Sequence, residues 1–220
     1  MQVYKFGGRI YESLTGLLTF GRVDRFKRAA MAKLGIQPGQ RILDWGCGTG
    51  ISSRLALLLL VGRGEIHGVE ISPHMLKLAV ARSRPTADLR FTFTLREGFD
   101  LQLAELADHA IACHTLGVLP GNLTEEGVRE VYRNLKPGAR IMITDMYTPD
   151  TSGVVSSTYN KVTRFVAEKI YRQDFSGTLL AVLRRYFTTI ELEYNPGLMA
   201  FYFIGERKDH VDPAEGNGTR

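Results

Sequence analysis

At 220 residues the chain can fill one hydrophobic core and is short for two domains. Its 28 Lys and Arg exceed its 23 Asp and Glu only modestly and form no like-charged block, which argues against nucleic acid as a partner. The two cysteines, Cys47 and Cys113, lie far apart with no Cys-x-x-Cys pair; they support neither a disulfide framework nor a metal site and read as free buried thiols.

In chain order, Val23, Phe26, Ala30, Met31 and Leu34 recur at helical spacing before a stop at Gly35 and a turn at Pro38-Gly39. A short apolar strand, Ile42-Leu43, leads to Asp44 and a glycine loop, and Ser52 to Leu60 reads as a helix. A second strand, Glu65 to Val69, ends at Glu70. Ser72 is placed as an N-cap with Pro73 at the first helical position, and Met75, Leu76, Ala79 and Val80 share one face. Arg90 to Leu95 and His109 to Cys113 read as strands three and four. Thr124 caps a helix with inner face Val128, Val131, Tyr132 and Leu135. Lys136-Pro137-Gly138 then turns the chain into a fifth strand, Arg140 to Thr144. Amphipathic segments at Tyr159 to Tyr171 and Thr178 to Phe187 precede two strands, Thr188 to Tyr194 and Met199 to Gly205, joined as a hairpin through Asn195-Pro196-Gly197.

This alternation predicts an α/β fold: a doubly wound, Rossmann-like sheet, mostly parallel, with an antiparallel C-terminal hairpin at its edge. Residues 1–206 are expected to form one domain, and the polar tail at 207–220 is expected to be disordered. The most apolar run, Leu55 to Val61, is far below the ~20 residues that span a bilayer, and the N-terminus lacks an apolar secretory core. A cytoplasmic location is expected.

The stretch Arg41 to Gly50 carries the strongest functional signal. A strand runs into an acid, Asp44, then into alternating glycines, Gly46, Gly48 and Gly50, just ahead of a helix. Glycines there allow a sharp turn and close backbone approach to a ligand. Glu70, at the tip of the second strand, is placed to accept hydrogen bonds from a ribose diol. Together they describe a nucleoside-binding βαβ unit. The dinucleotide fingerprint G-x-G-x-x-G would need glycine where this chain has Ile51, and Asp44 would repel a pyrophosphate yet suits an ammonium group.

With G-x-G-x-G after Asp44 and Glu70 downstream, the chain resembles the class I S-adenosylmethionine (SAM) methyltransferases. The resemblance runs from near Val23 to Glu206 and includes the Lys-Pro-Gly turn. Tyr11 to Lys27 and the stretch Glu193 to Ala200 look more narrowly like the ubiquinone/menaquinone C-methyltransferases, and small phospholipid N-methyltransferases share much of the layout. It implies SAM as cofactor, with Asp44 by the methionine amino group, the glycine loop of Gly46, Cys47, Gly48 and Gly50 against the cofactor, and Glu70 with Ile71 at the ribose. It also implies that residues 1–34 form a helical lid that excludes water. Where many members have Gly-Asp for the adenine, this chain has Gly98-Phe99-Asp100; Asp100 could reach the adenine or Phe99 could pack on its face. Cys113 completes the expected cofactor set.

After the fourth strand, His114-Thr115-Leu116 occupies the place where the family lines the methyl-transfer site. Positioning does much of the work of methyl transfer, and a base is needed only where the nucleophile must lose a proton. His114 sits just past a strand's C-terminal end, where open α/β sheets place ligands, and is the candidate catalytic base or substrate orienter. His67 and His109 read as structural, and His74 and His210 have no assigned role. Asp145, Tyr147 and Tyr11 are weaker pocket candidates. The segment 159–185 is basic and amphipathic, the pattern of a helix that covers a core or touches an anionic membrane surface. The expected partner is a small, apolar or lipid-like methyl acceptor: a quinone, a phospholipid headgroup or a phenol. The alternatives are a non-catalytic SAM-fold binding protein and a nicotinamide-dependent reductase.

Overall fold

The structure, a computed structural model, describes residues 21–116, 119, 121–146 and 175–211. Residues 212–220 of the expected tail, residues 1–20 with Tyr11, Tyr147 and the 159–171 segment lie outside the described residues; Arg207, the first residue of that tail, ends the last strand, and the Lys208 N–H after it bonds the Tyr186 carbonyl (3.1 Å).

The described elements run α1 (Arg22–Ala32), β1 (Arg41–Trp45), α2 (Ile51–Leu60), β2 (Gly64–Glu70), α3 (Pro73–Arg82), β3 (Leu89–Leu95), β4 (Ala107–Cys113), α4 (Gly121–Arg133), β5 (Leu135–Met146), α5 (Phe175–Tyr186), β6 (Phe187–Asn195) and β7 (Ala200–Arg207). The seven strands form one sheet in the order β3-β2-β1-β4-β5-β7-β6. β1 to β5 pair in parallel, and β7 is antiparallel to both β5 and β6. The doubly wound sheet with an antiparallel edge is as the alternation predicts. After β1 the chain winds one way to β2 and β3, then returns to place β4 on the other side of β1. That reversal opens a crevice beyond the C-terminal ends of β1 and β4.

Both faces are covered, so the inner strands are buried on both sides. Leu43, Ala110, Ile141, Ile143, Phe201 and Phe203 face one way, onto Val128 and Val131 of α4 and Leu179 and Leu183 of α5. Their neighbours Ile42, Ile111, Met142, Tyr202 and Ile204 face the other way, onto Val23, Phe26, Ala30 and Met31 of α1 and Leu55 and Ala56 of α2. The described part of the expected lid, α1, is therefore built into the core through the residues its 3.6-residue periodicity marks.

Several local expectations need correction. The Lys136-Pro137-Gly138 turn is absorbed into β5: Ala107 pairs with Leu135 and His109 with Arg140, so four residues bulge opposite Asp108. Gly138 takes the left-handed φ of 71° that the bulge needs, and Lys136 binds Asp108 (2.7 Å). Thr124 does not cap α4, which starts three residues earlier; it is buried within the helix. Of the expected inner face of α3, only Ala79 is buried, and Val80 is 53% exposed. Ser72 does cap that helix, accepting from the Met75 N–H. The final hairpin closes through a 3-10 turn, Pro196–Leu198, with Asn195 Oδ1 accepting from the Leu198 N–H (3.1 Å). Cys113 is half-buried rather than buried, while Cys47 is buried; both are free thiols.

Candidate active site

Asp44 is brought to the crevice by β1 and buried completely. Its Oδ2 accepts from the Ser53 hydroxyl (2.6 Å) on the first turn of α2, and its Oδ1 has no hydrogen-bond partner. A buried carboxylate oxygen left unpaired is costly unless a ligand completes it. Burial, with Glu70's charge adding to it against the Ser53 hydrogen bond, raises the Asp44 carboxyl to about 7. A cationic group placed beside Oδ1 would relieve both the missing partner and the unfavourable charge.

The three glycines do different jobs. All have positive φ, 74°, 56° and 82° for Gly46, Gly48 and Gly50. A Cβ on Gly46 would strike the Thr115 side chain at 2.1 Å, and one on Gly50 would press on the backbone of Ala79 at 3.2 Å. Those two glycines serve close packing. A Cβ on Gly48, which is half-buried, would meet nothing within 4 Å, so this is the part of the loop with room for a ligand. Thr115 lies within reach of both the Gly46 (3.2 Å) and Cys113 (3.0 Å) carbonyls, joining the loop to the end of β4.

Glu70 is buried at the tip of β2, and backbone donors hold its carboxylate: Gly48 N–H on Oε2 (2.9 Å), Ile71 and Ser72 N–H on Oε1 (2.9 and 2.8 Å). Asp44, the glycine loop, Glu70 and Ile71 therefore come together as the sequence predicts. Ile71 contributes its backbone N–H to Glu70. Cys47 lies inside the loop, with burial pushing its thiol well up, and burial raises Cys113 as well. Both remain protonated and unreactive near neutral pH.

The 98–101 loop separates the two adenine candidates. Phe99 stacks on Trp45, the residue after Asp44 (centroids 6.1 Å apart, planes 19°). Asp100 is 82% exposed and paired with Arg96, and no bond among the described residues joins it to the Asp44–Glu70 cluster. The loop is anchored by Glu130 of α4, which is buried and accepts from Trp45 Nε1 (2.8 Å) and the Leu101 N–H (2.5 Å). Asn134 adds bonds to Leu101 O and the Leu103 N–H.

At the end of β4, His114 adopts a left-handed φ of 53° and donates its N–H to the Thr144 carbonyl (2.8 Å) on β5. Its Nδ1 is buried without a hydrogen bond, 3.8 Å from Oδ1 of the fully buried Asp145. Burial, with the Lys27 charge nearby, drives the His114 pKa well below its ordinary 6.5, so the ring is neutral. His67 and His109 are spent on structure, bonded to Thr94 (2.9 Å) and to the Arg140 N–H (3.3 Å). Ser53 and Glu130 had no signal in the linear pattern, and Thr115, expected with His114 at the methyl-transfer end, instead packs against Gly46; only the fold sets these three beside the motif. No group of three or more metal-ligating side chains gathers among the described residues.

Residues 42–138 match the methyltransferase domain family. Along the chain, 142 residues are 34% identical to a 2-phytyl-1,4-naphtoquinone methyltransferase of Synechococcus elongatus, covering 64% of this chain and 60% of that protein. A ubiquinone/menaquinone biosynthesis C-methyltransferase, UbiE, of Syntrophotalea carbinolica is 32% identical over 161 residues, 73% of this chain and 66% of that one. The chain belongs to the class I SAM-dependent methyltransferases. It spans about 60% of the length of the first of these relatives. Among solved structures, the N-methyltransferase NodS of Bradyrhizobium japonicum, in complex with S-adenosyl-L-homocysteine, shares the fold with a TM-score of 0.61 at 13% identity, over 84% of this chain and 87% of NodS. No described helix is long and apolar enough to cross a membrane.

Proposed function

We propose that this methyltransferase moves a methyl group from SAM to a small quinone-like acceptor in its reduced, phenolic form. The observation that supports it best is the buried Asp44 Oδ1, which no hydrogen bond engages, in the same loop region as the uncrowded Gly48: an acid fitted to an amino-acid ammonium attached to a nucleoside. The similarity to quinone methyltransferases supports the acceptor class.

In this reading SAM, when bound, supplies an electrophilic methyl group on a positively charged sulfur. Asp44 holds the ammonium, the Gly46–Gly50 loop with Cys47 lies along the cofactor, and Glu70 exchanges backbone partners for the ribose hydroxyls. Ile71 and Cys113 border it. Phe99, fixed through Trp45 and Glu130, walls the adenine, and Asp100 stays at the rim. His114 takes the proton of an acceptor hydroxyl. Held neutral by burial, it is ready to accept that proton, and the buried Asp145 carboxylate 3.8 Å away favours the imidazolium that results. The acceptor ring's electron pair would form the new bond to the methyl carbon as the methyl–sulfur bond breaks and its electrons neutralise the sulfur; the ring C–H proton would then leave as the oxygen regains the proton held by His114, restoring aromaticity.

Incubation with SAM and a reduced prenylated naphthoquinone should release S-adenosylhomocysteine and add one methyl group to the ring by mass spectrometry. Cofactor binding without methylation of any reduced quinone would refute the acceptor class. The same reading makes the chain a cytoplasmic protein, with the expected lid of residues 1–34 held to the core through α1. It also has the basic 159–185 segment touch an anionic bilayer; failure to sediment with anionic liposomes at low salt would refute that contact.

A further inference from the structure

We propose that the chain forms a two-fold dimer in which β3 of one copy pairs antiparallel with β3 of a second, joining the two sheets into one. Among the described residues β3 ends the sheet. The Arg96 N–H bonds the Glu70 carbonyl at the end of β2 (3.0 Å), so strand alternation turns the N–H and C=O groups of Phe91, Phe93 and Leu95 outward, toward the open side. β3 pairs with β2 without a break in register from Leu89 to Leu95, and it holds no proline and one charged residue, Arg90. The opposite edge, β6, is guarded against such pairing. Its register slips between Thr189 and Glu191, and it carries Glu191 and Glu193.

A two-fold interface brings the same patch of both copies together, so a strand at its centre must complement its own reverse. Leu89-Arg90-Phe91-Thr92-Phe93-Thr94-Leu95 does so about Thr92. With Thr92 opposite Thr92 of the second copy, Phe91 meets Phe93, Leu89 meets Leu95, and Asp88 stands opposite Arg96, alike at both ends. Aromatic, threonine and opposite-charge pairs are the cross-strand contacts that stabilise a sheet. Arg96 already holds Asp100 within its own chain, and its fork of N–H donors leaves room for a second acid. Leu89, Phe91, Phe93 and Leu95 share one face by the period of two. Leu89 is buried there, Phe91 and Phe93 are half-buried and stacked (centroids 6.1 Å apart, planes 7°), and Leu95 is 51% exposed. The pairing covers Leu95 with Leu89 of the second copy. α3 lies on this same face: its Ala79 meets Gly50 at the start of α2, whose side of the sheet also takes Leu89 and Phe91. The two α3 helices therefore flank the joint and widen the contact beyond two strands.

Sedimentation equilibrium of the chain at micromolar concentration tests the pairing, with position 92 as the probe, because this register sets a residue there against its own copy. The parent should sediment at twice the chain mass. Thr92→Lys and Thr92→Glu each place like charges directly opposite one another and should each weaken dimerisation about tenfold or more. An equal mixture of the two should restore most of the affinity, since Lys then faces Glu; such a rescue also shows that both variants fold. Ile190→Lys, at an exposed position on the other edge strand, should leave the dimer intact. A monomeric parent, single variants that dimerise like the parent, a mixture that stays monomeric, or loss of the dimer in Ile190→Lys would each overturn the proposal.

Discussion

Replacing Asp44 by Asn tests the pocket's charge through stability and binding at once. The substitution keeps an oxygen to accept from the Ser53 hydroxyl and removes the ionisable group. In the ligand-free protein, burial lifts the carboxyl from 3.8 to about 7. At about 1.36 kcal/mol per pH unit, that gap amounts to about 4 kcal/mol for ionising Asp44 in the empty site. Because the folded-state value is raised, the favourable contribution is complete below 3.8 and is lost as pH rises through about 7. The Asn amide would take the place of the unpaired Oδ1 as a buried donor without a partner, at about 1–3 kcal/mol. At about pH 8 the variant should therefore be more stable than the parent by about 1–3 kcal/mol, or a few degrees in Tm at roughly 2–4 °C per kcal/mol. At about pH 5 the folded carboxyl is protonated while the unfolded one, with its value of 3.8, is ionised, so the parent has lost only about 1.6 kcal/mol (1.36 × 1.2 pH units), which the Asn penalty nearly cancels. Binding should move the other way, with S-adenosylhomocysteine weakened about 10- to 100-fold by loss of a charged partner. Urea unfolding at the two pH values and isothermal titration measure both effects. A variant destabilised equally at both pH values, or one that binds S-adenosylhomocysteine unchanged, would refute the claim that Asp44 waits for a cation.

His114→Gln should lower kcat about a hundredfold and leave S-adenosylhomocysteine affinity intact. Because His114 is neutral well below 6.5, parent kcat should not fall as pH drops from about 8 to about 6.5; a histidine-like decline there that the variant abolishes would contradict it. Gly48→Ala should cost about 1–2 kcal/mol of stability from its left-handed φ, and Gly46→Ala should cost more because its Cβ also meets Thr115; equal losses in urea unfolding would undo that distinction. Only Gly48→Ala, with room for its methyl, should fold well yet bind cofactor poorly. Glu130→Ala strands the Trp45 and Leu101 N–H groups, at about 2–5 kcal/mol, and should red-shift the emission of Trp45, the sole tryptophan; an unchanged spectrum and Tm would show that Glu130 does not hold the loop.

The parallel sheet and its antiparallel edge were legible because period-2 and period-3.6 patterns report which side of an element is buried. Val23, Phe26, Ala30 and Met31 face the core as their spacing requires. Errors fell where local preference met tertiary demand. Lys-Pro-Gly is a good turn, yet pairing with β4 draws it into β5 as a bulge. Thr124 is a good cap, yet its helix begins a turn earlier and buries it.

The sequence by itself determined the chemistry that must be local. An acid ending a strand, glycines that can take positive φ and a second acid at the next strand's tip are set by short-range geometry, and they meet at Asp44, Gly48 and Glu70 as their spacing implies. Only the tertiary structure decided what long-range contact controls: Ser53 on one oxygen of Asp44 and nothing on the other, Thr115 filling the space above Gly46, and Asp145 behind His114. A pattern of residue types records which face of an element is apolar. It does not record which polar atom is left unpaired when the faces close, and that unpaired atom is what points to the ligand.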